Sequence, residues 1–287
     1  MLISADELET ELAAPSPPTL LDVRWSLTGP PGVDSFRQAH IPGAVFCDLD
    51  AELAGPTVGA GRHPLPDSRA FASAMRGLGV SSDRAVVVYD AADSSVAARA
   101  WWCLRYFGHT NVRVLDGGLA AWRLGQRPVE AGDSAPMAAG DFVSSPGGLP
   151  LVEAAGVPTI ARSGLLIDAR AGARYRGEFE PIDPVAGHIP GAVNAPTSRF
   201  VDDLGRFLRT DELREQFTTL AALTTTGMNS AALSSVPVAA YCGSGVNAAQ
   251  VVLAGVVAGL QPSLYVGSWS DWVSDRTRAV AVGAEPG

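Results

Sequence analysis

The sequence predicts an α/β protein in which one domain, a parallel sheet flanked by helices, is built twice in tandem. Three observations predict it. The block Leu20-Leu21-Asp22-Val23-Arg24 returns as Leu166-Ile167-Asp168-Ala169-Arg170, and His40-Ile41-Pro42-Gly43-Ala44-Val45 returns as His188-Ile189-Pro190-Gly191-Ala192-Val193. Val86-Val87-Val88-Tyr89-Asp90 corresponds to Val238-Ala239-Ala240-Tyr241-Cys242, with a cysteine at the end of the second copy only. Within each copy, short apolar runs alternate with helix-length segments, the order that gives parallel strands crossed over by helices. The offset between matching blocks is 146 residues at Leu20, 148 at His40 and 152 at Val86, the drift that small loop insertions produce.

Each element has its own local reason. Leu20 to Val23 is a short apolar run before a charge. Asp67 to Leu78 has helical spacing, with Gly79 placed to end it. Val86 to Tyr89 is β-branched and too short for a helix. Ser94 to Phe107 reads as a helix with Ser94 or Ser95 available as cap and Gly108 at its end, and Val112 to Leu115 as a further strand. After Asp116-Gly117-Gly118 comes a short helix through Trp122. The second copy runs from Leu165 to Leu264-Tyr265-Val266-Gly267-Ser268-Trp269 and Trp272. Residues 1–125 and 151–287 are therefore expected as two domains. Gln126 to Pro150, rich in Gly, Pro, Ser and Ala, is expected as a surface linker, and Thr224 to Ser235 as a loop.

Composition narrows the function. The chain has 287 residues, enough for two ordinary cores, with 47% hydrophobic and 18% charged residues, the profile of a globular protein. A net charge of -9 without a basic stripe argues against nucleic acid, because phosphate binding needs clustered Lys and Arg. Three cysteines (Cys47, Cys103 and Cys242) do not make a disulfide framework, so a reducing, cytoplasmic setting is expected. The start Met1-Leu2-Ile3-Ser4-Ala5-Asp6-Glu7 lacks a secretory profile. The longest apolar run, Ala248 to Leu260, falls short of the roughly 20 residues a bilayer requires and is expected as a buried helix.

The chemistry is expected in Cys242-Gly243-Ser244-Gly245-Val246-Asn247-Ala248, between a strand and that apolar helix. Ligands gather at the carboxyl ends of such strands. The two glycines allow a tight turn whose N–H groups point inward as an anion nest, and the helix N-terminus adds partial positive charge. These effects favour a thiolate nucleophile and would surround the terminal sulfur of a persulfide with donors. The alternative is an inert buried cysteine.

The loop, the paired His-Ile-Pro-Gly-Ala segments, the Asp-x-Arg strands and Gly267-Ser268-Trp269-Ser270-Asp271-Trp272 together resemble a tandem rhodanese-type sulfurtransferase over essentially the whole chain. The Cys-Gly-Ser-Gly-Val form is similar to 3-mercaptopyruvate sulfurtransferases. Thiosulfate-preferring relatives tend to carry basic residues in this loop, and here there are none. The resemblance implies a persulfide on catalytic Cys242, with protons handled by Ser244, by His63 in Gly61-Arg62-His63-Pro64 and by Asp50 in Phe46-Cys47-Asp48-Leu49-Asp50. It implies that Arg174 binds the donor's carboxylate beside Gly243, Gly245, Val246 and Asn247. The sequence departs from the family at Ile182, where many members have a second arginine that Arg176 could replace, and at Asn247, where threonine is usual. Plainer readings stand beside these: an exposed loop histidine at 63, and an Arg174 that is solvated or paired with Glu178 or Glu180.

The resemblance calls for no cofactor and no metal. It implies a small-molecule sulfur donor and a thiol acceptor, either a small thiol or a thioredoxin-like protein, with cyanide as an alternative acceptor. His40 and His188 are expected as structural turn residues, Asp22 and Asp168 as anchors for the neighbouring arginines, and Trp101, Trp102, Trp122, Trp269 and Trp272 as packing. A cysteine phosphatase would need an arginine six residues after the nucleophile, and that position is Ala248. A non-catalytic rhodanese-like module would have lost the cysteine, as the first copy has at Asp90. Thiosulfate is the second candidate donor.

Overall fold

Runs of four buried residues form two adjacent strands of each sheet in the computed structural model, which describes residues 1–57, 61–134, 137–224 and 233–287. The first sheet contains β1 (Leu2–Ile3), β2 (Thr19–Asp22), β3 (Val45–Phe46), β4 (Val86–Tyr89) and β5 (Val112–Leu115), in the order β1-β5-β4-β2-β3. The second contains β6 (Leu165–Asp168), β7 (Ala192–Asn194), β8 (Val238–Tyr241) and β9 (Ser263–Leu264), in the order β7-β6-β8-β9. Every pairing is parallel. Strands covered on both faces have no solvent side, so they are continuously apolar instead of alternating. The registers repeat as well: Leu21 lies opposite Val88 in one sheet and Ile167 opposite Ala240 in the other. A single bridge from Leu151 to Leu264 stands where β1 joins the first sheet.

The repeated His-Ile-Pro-Gly-Ala turn is held the same way in both copies. Tyr89 and Tyr241, each the last residue of a central strand, use their hydroxyls to accept the Ile41 and Ile189 amides, both at 3.1 Å. His40 donates its Nδ1–H to the Phe36 carbonyl oxygen at 2.9 Å and stacks on the Phe36 ring, while His188 does the same with Tyr175. Both histidines are buried structural residues, as expected. Asp22 grips Arg24 and Asp168 grips Arg170 through two guanidinium nitrogens each. All five tryptophans expected in packing roles are buried.

The Asp67–Leu78 segment forms a helix over Ser68–Gly77, capped by the Asp67 carboxylate on the Arg69 and Ala70 amides. The helix expected over Ser94–Phe107 spans Ala97–Tyr106, and neither serine caps it. The Asp90 carboxylate takes that role from the strand end, accepting from Val96 and Ala97. Ser94 instead sits at φ +61 in the turn before it. The apolar run from Ala248 forms a helix over Ala248–Val257 whose first eight residues are fully buried. Among the described residues no helix is long and apolar enough to cross a membrane. Most of the loop expected over Thr224–Ser235 lies outside the described residues.

Two compact units account for the chain. One comprises Met1–Gly55, Leu65–Leu149 and Val201–Phe207, and the other Pro56–Pro64, Pro150–Phe200 and Leu208–Gly287. Gln126–Leu149 belongs to the first unit, tied to it by backbone bonds such as Gly140 to Arg76 and Ser145 to Phe107, with Phe142 buried. The division departs from the order of the chain in two places: each half contributes one short segment to the unit built mainly by the other.

Candidate active site

Cys242 follows β8 directly and is 4% exposed at the head of the expected loop. Its backbone is pinned on both sides. The Cys242 amide donates to Ser268 Oγ at 3.1 Å, the Trp269 amide donates to the Cys242 carbonyl, and the Ser270 amide donates to the Gly243 carbonyl. Ser268 holds φ +55, and its hydroxyl donates to the Tyr265 carbonyl at 2.9 Å. It stands where the first copy has Gly118 at φ +53. A serine in the left-handed region is strained and persists because the Cys242 amide and the Tyr265 carbonyl fix its side chain. Gly245 has φ +78, and a Cβ there would meet the Val266 carbonyl oxygen at 2.3 Å, so the loop cannot carry a side chain at that point. Val246 is buried, and Asn247 leads into the following helix with helical φ and ψ.

Ser244 Oγ lies 2.7 Å from His63 Nδ1, and both side chains are buried, at 7% and 8% exposure. The plain reading of His63 as an exposed loop residue is thus overturned. Segment Pro56–Pro64 folds with the unit that carries Cys242 because Arg62 donates its amide to Ser270 and Gly61 packs on Gly267. Asp50 belongs to the other unit, on the short helix Leu49–Glu52, where its Oδ2 accepts the Trp25 indole N–H at 3.0 Å.

Arg174, on the helical turn Gly172–Tyr175, donates to Glu180 Oε1 at 2.7 Å and to Asp183 Oδ2 at 3.2 Å. Pairing with Glu180, one of its plainer readings, is therefore real. Asp183 also accepts from Arg62 through its other oxygen. Two guanidinium groups thus share one carboxylate beside the loop. Arg62 Nη2 lies 2.7 Å, and Arg174 Nη1 3.5 Å, from the point where a Cβ on Gly243 would stand. Burial pushes the Asp183 carboxyl upward in pKa, against the pull of Arg62. Burial works the same way on Glu180, but there the Arg174 bond and the amides of Asp183 and Ile182 prevail and hold it low. Arg176 turns away to an exposed pair with Glu178, so it does not replace the missing arginine at 182.

Arg62, Asp183 and Ser268 escaped the sequence reading. Arg62 stands beside His63, so a cation one residue from a proposed proton carrier was a usable signal. Asp183 and Ser268 gave none, because their roles depend on partners far apart in sequence.

The first copy shows what replaced the reactive end. Asp90 occupies the position of Cys242, and its two oxygens accept amides from Ala92, Ser94, Val96 and Ala97 at 2.9 to 3.1 Å. Burial raises its pKa while these donors oppose the rise. A cradle of main-chain donors at the end of a strand is thus present, filled by the chain's own carboxylate.

The Rhodanese-like domain family matches residues 4–124 and 157–275. A Mycobacterium tuberculosis protein, provisionally named a thiosulfate sulfurtransferase, is 41% identical over 286 residues, covering 99% of this chain and 97% of its own. A Pseudomonas aeruginosa protein named a probable 3-mercaptopyruvate sulfurtransferase is 41% identical over 98% of both chains. Among solved structures, the 3-mercaptopyruvate sulfurtransferase of Escherichia coli superimposes with a TM-score of 0.80 at 34% identity, covering 94% of this chain and 98% of that one. With the duplicated sheets, the single cysteine loop and these likenesses in agreement, the chain belongs to the rhodanese-like family and is a tandem-domain sulfurtransferase.

Proposed function

We propose that the protein moves sulfane sulfur from 3-mercaptopyruvate to a thiol acceptor through a persulfide on Cys242. The Cys242 thiolate attacks the donor's sulfur and forms an S–S bond. The donor's C–S bond breaks, and its electron pair passes to the methylene carbon as the enolate of pyruvate. A proton from His63, relayed by Ser244, completes pyruvate. In the second half-reaction an acceptor thiolate attacks the outer sulfur, and the S–S pair returns to Cys242. A small thiol or a thioredoxin-like protein serves as acceptor, and cyanide substitutes for either by the same attack.

The observation that carries this reading is the buried 2.7 Å contact between His63 and Ser244, two residues beyond Cys242. A histidine–hydroxyl pair next to a nucleophile is the arrangement that proton transfer to a leaving carbanion requires. The paired guanidinium groups also suit a dianion, which keeps thiosulfate as the second donor. Mass spectrometry of donor-treated protein tests the scheme. Wild type is expected to gain one thiol-labile sulfur at Cys242, and Cys242→Ser to gain none and turn over nothing. Turnover surviving in Cys242→Ser would sink it, and a strong rate preference for thiosulfate would reverse the donor.

A further inference from the structure

We propose that Arg62 is the second donor-binding guanidinium of this enzyme, filling the place left by Ile182, and that Asp183 holds it beside Arg174 with its Nε and Nη2 edge open to the donor. The inference rests on the 3-mercaptopyruvate reading and extends it to residues that reading does not use.

Four observations carry it. Arg62 reaches the catalytic loop from a segment distant in sequence, and its Nη2 lies 2.7 Å from a would-be Cβ on Gly243, nearer than either nitrogen given for Arg174. A glycine at 243 is what admits the guanidinium there. Arg62 Nη1 and Arg174 Nη2 bind the two oxygens of one carboxylate, Asp183, so the pair is already spaced to hold a carboxylate between them. Arg62 Nε is buried with no hydrogen-bond partner among the described residues, although a buried guanidinium donor is costly to leave unmet. Finally, burial raises the pKa of Asp183, so its charge is the less well held of the two carboxylates in the cluster.

A planar fork with one edge on Asp183 and Nε unmet can take a second carboxylate without losing the first contact. The donor's carboxylate would accept from Arg62 Nε and Nη2 and from Arg174. Its α-keto methylene thiol would then lie along the loop toward Cys242. Arg176, on an exposed partner, cannot contribute, and Ile182 has no charge. Loop residues set the chemistry, and Arg62 sets which donors reach it.

The test compares 3-mercaptopyruvate with mercaptoacetone, the same mercapto ketone without its carboxylate. Wild type, Arg62→Gln and Arg62→Lys are assayed with a fixed thiol acceptor. Arg62→Gln is expected to raise KM for 3-mercaptopyruvate about tenfold, with kcat changed less, and to lower the selectivity for 3-mercaptopyruvate over mercaptoacetone by a similar factor. Arg62→Lys, which keeps the charge but loses the fork, is expected to fall between, and it decides the matter alone if the glutamine variant does not fold. Equal losses on both donors, or an unchanged selectivity, would overturn the assignment. If wild type takes no sulfur from 3-mercaptopyruvate, the underlying reading fails, an outcome visible before any variant is made.

Discussion

Glu52 ends the short helix that carries Asp50, and burial raises its pKa to about 7 even though its carboxylate accepts the Cys47 thiol and the Asp48 amide. The Cys47 thiol is pushed well up, first by its own burial and then by this neighbour. The consequence for stability has a definite sign. A carboxyl whose pKa is higher in the folded state keeps its proton there longer than in the unfolded chain, so stability falls as pH rises from about 4.5 to about 7 and is level beyond. Glu52→Gln removes the charged form. It should therefore raise Tm at pH 8 relative to wild type and change it little at pH 4.5. A Tm gain equal at both pH values would show that the carboxylate is not penalised in the fold. None of this was legible beforehand, because nothing near Glu52 in sequence says that it is covered.

The repeated elements were the most legible part of the fold. Strands such as Val86–Tyr89 and Val238–Tyr241 are apolar at every position, and the turn after each His-Ile-Pro needs a positive-φ glycine, supplied by Gly43 at φ +77 and Gly191 at φ +86. Local chemistry alone dictates both features. The start of the helix Ala97–Tyr106 was misjudged because its cap comes from Asp90, seven residues before its first residue, while Ser94 looked suitable by type. A carboxylate that accepts four buried amides stabilises strand end, turn and helix together. Asp90→Ala should cost about 3 kcal/mol of unfolding free energy, since several buried donors lose their acceptor. Asp90→Asn, which keeps one oxygen, should cost clearly less. Chemical denaturation measures both, and a loss below about 1 kcal/mol in the alanine variant would show that water serves those donors equally well.

Over the whole molecule, duplication and the strand-to-helix loop that holds Cys242 could be read from the chain, but the membership of segment 56–64 could not. Its sequence lies deep in the first copy, and its contacts to Ser270, Gly267 and Ser244 are more than 180 residues away. Pairings at that separation leave no periodic trace. The unit that carries Cys242 therefore takes in residues from the other half of the chain, His63 and Arg62 among them. Replacing residues 56–64 in the full-length protein by a glycine–serine stretch of equal length should lower kcat/KM for 3-mercaptopyruvate by about a thousandfold, combining a lost proton carrier with a lost cation. Cys242 should still react with a small alkylating reagent. Retained turnover would mean that the loop merely covers the unit.

The filled cradle around Asp90 also limits what one molecule can carry. With its four main-chain amides engaged by a fixed anion, the first half of this double protein has no berth there for a migrating chalcogen atom. On the proposed scheme, cargo would board at Cys242, and each polypeptide would hand on its passenger before taking another.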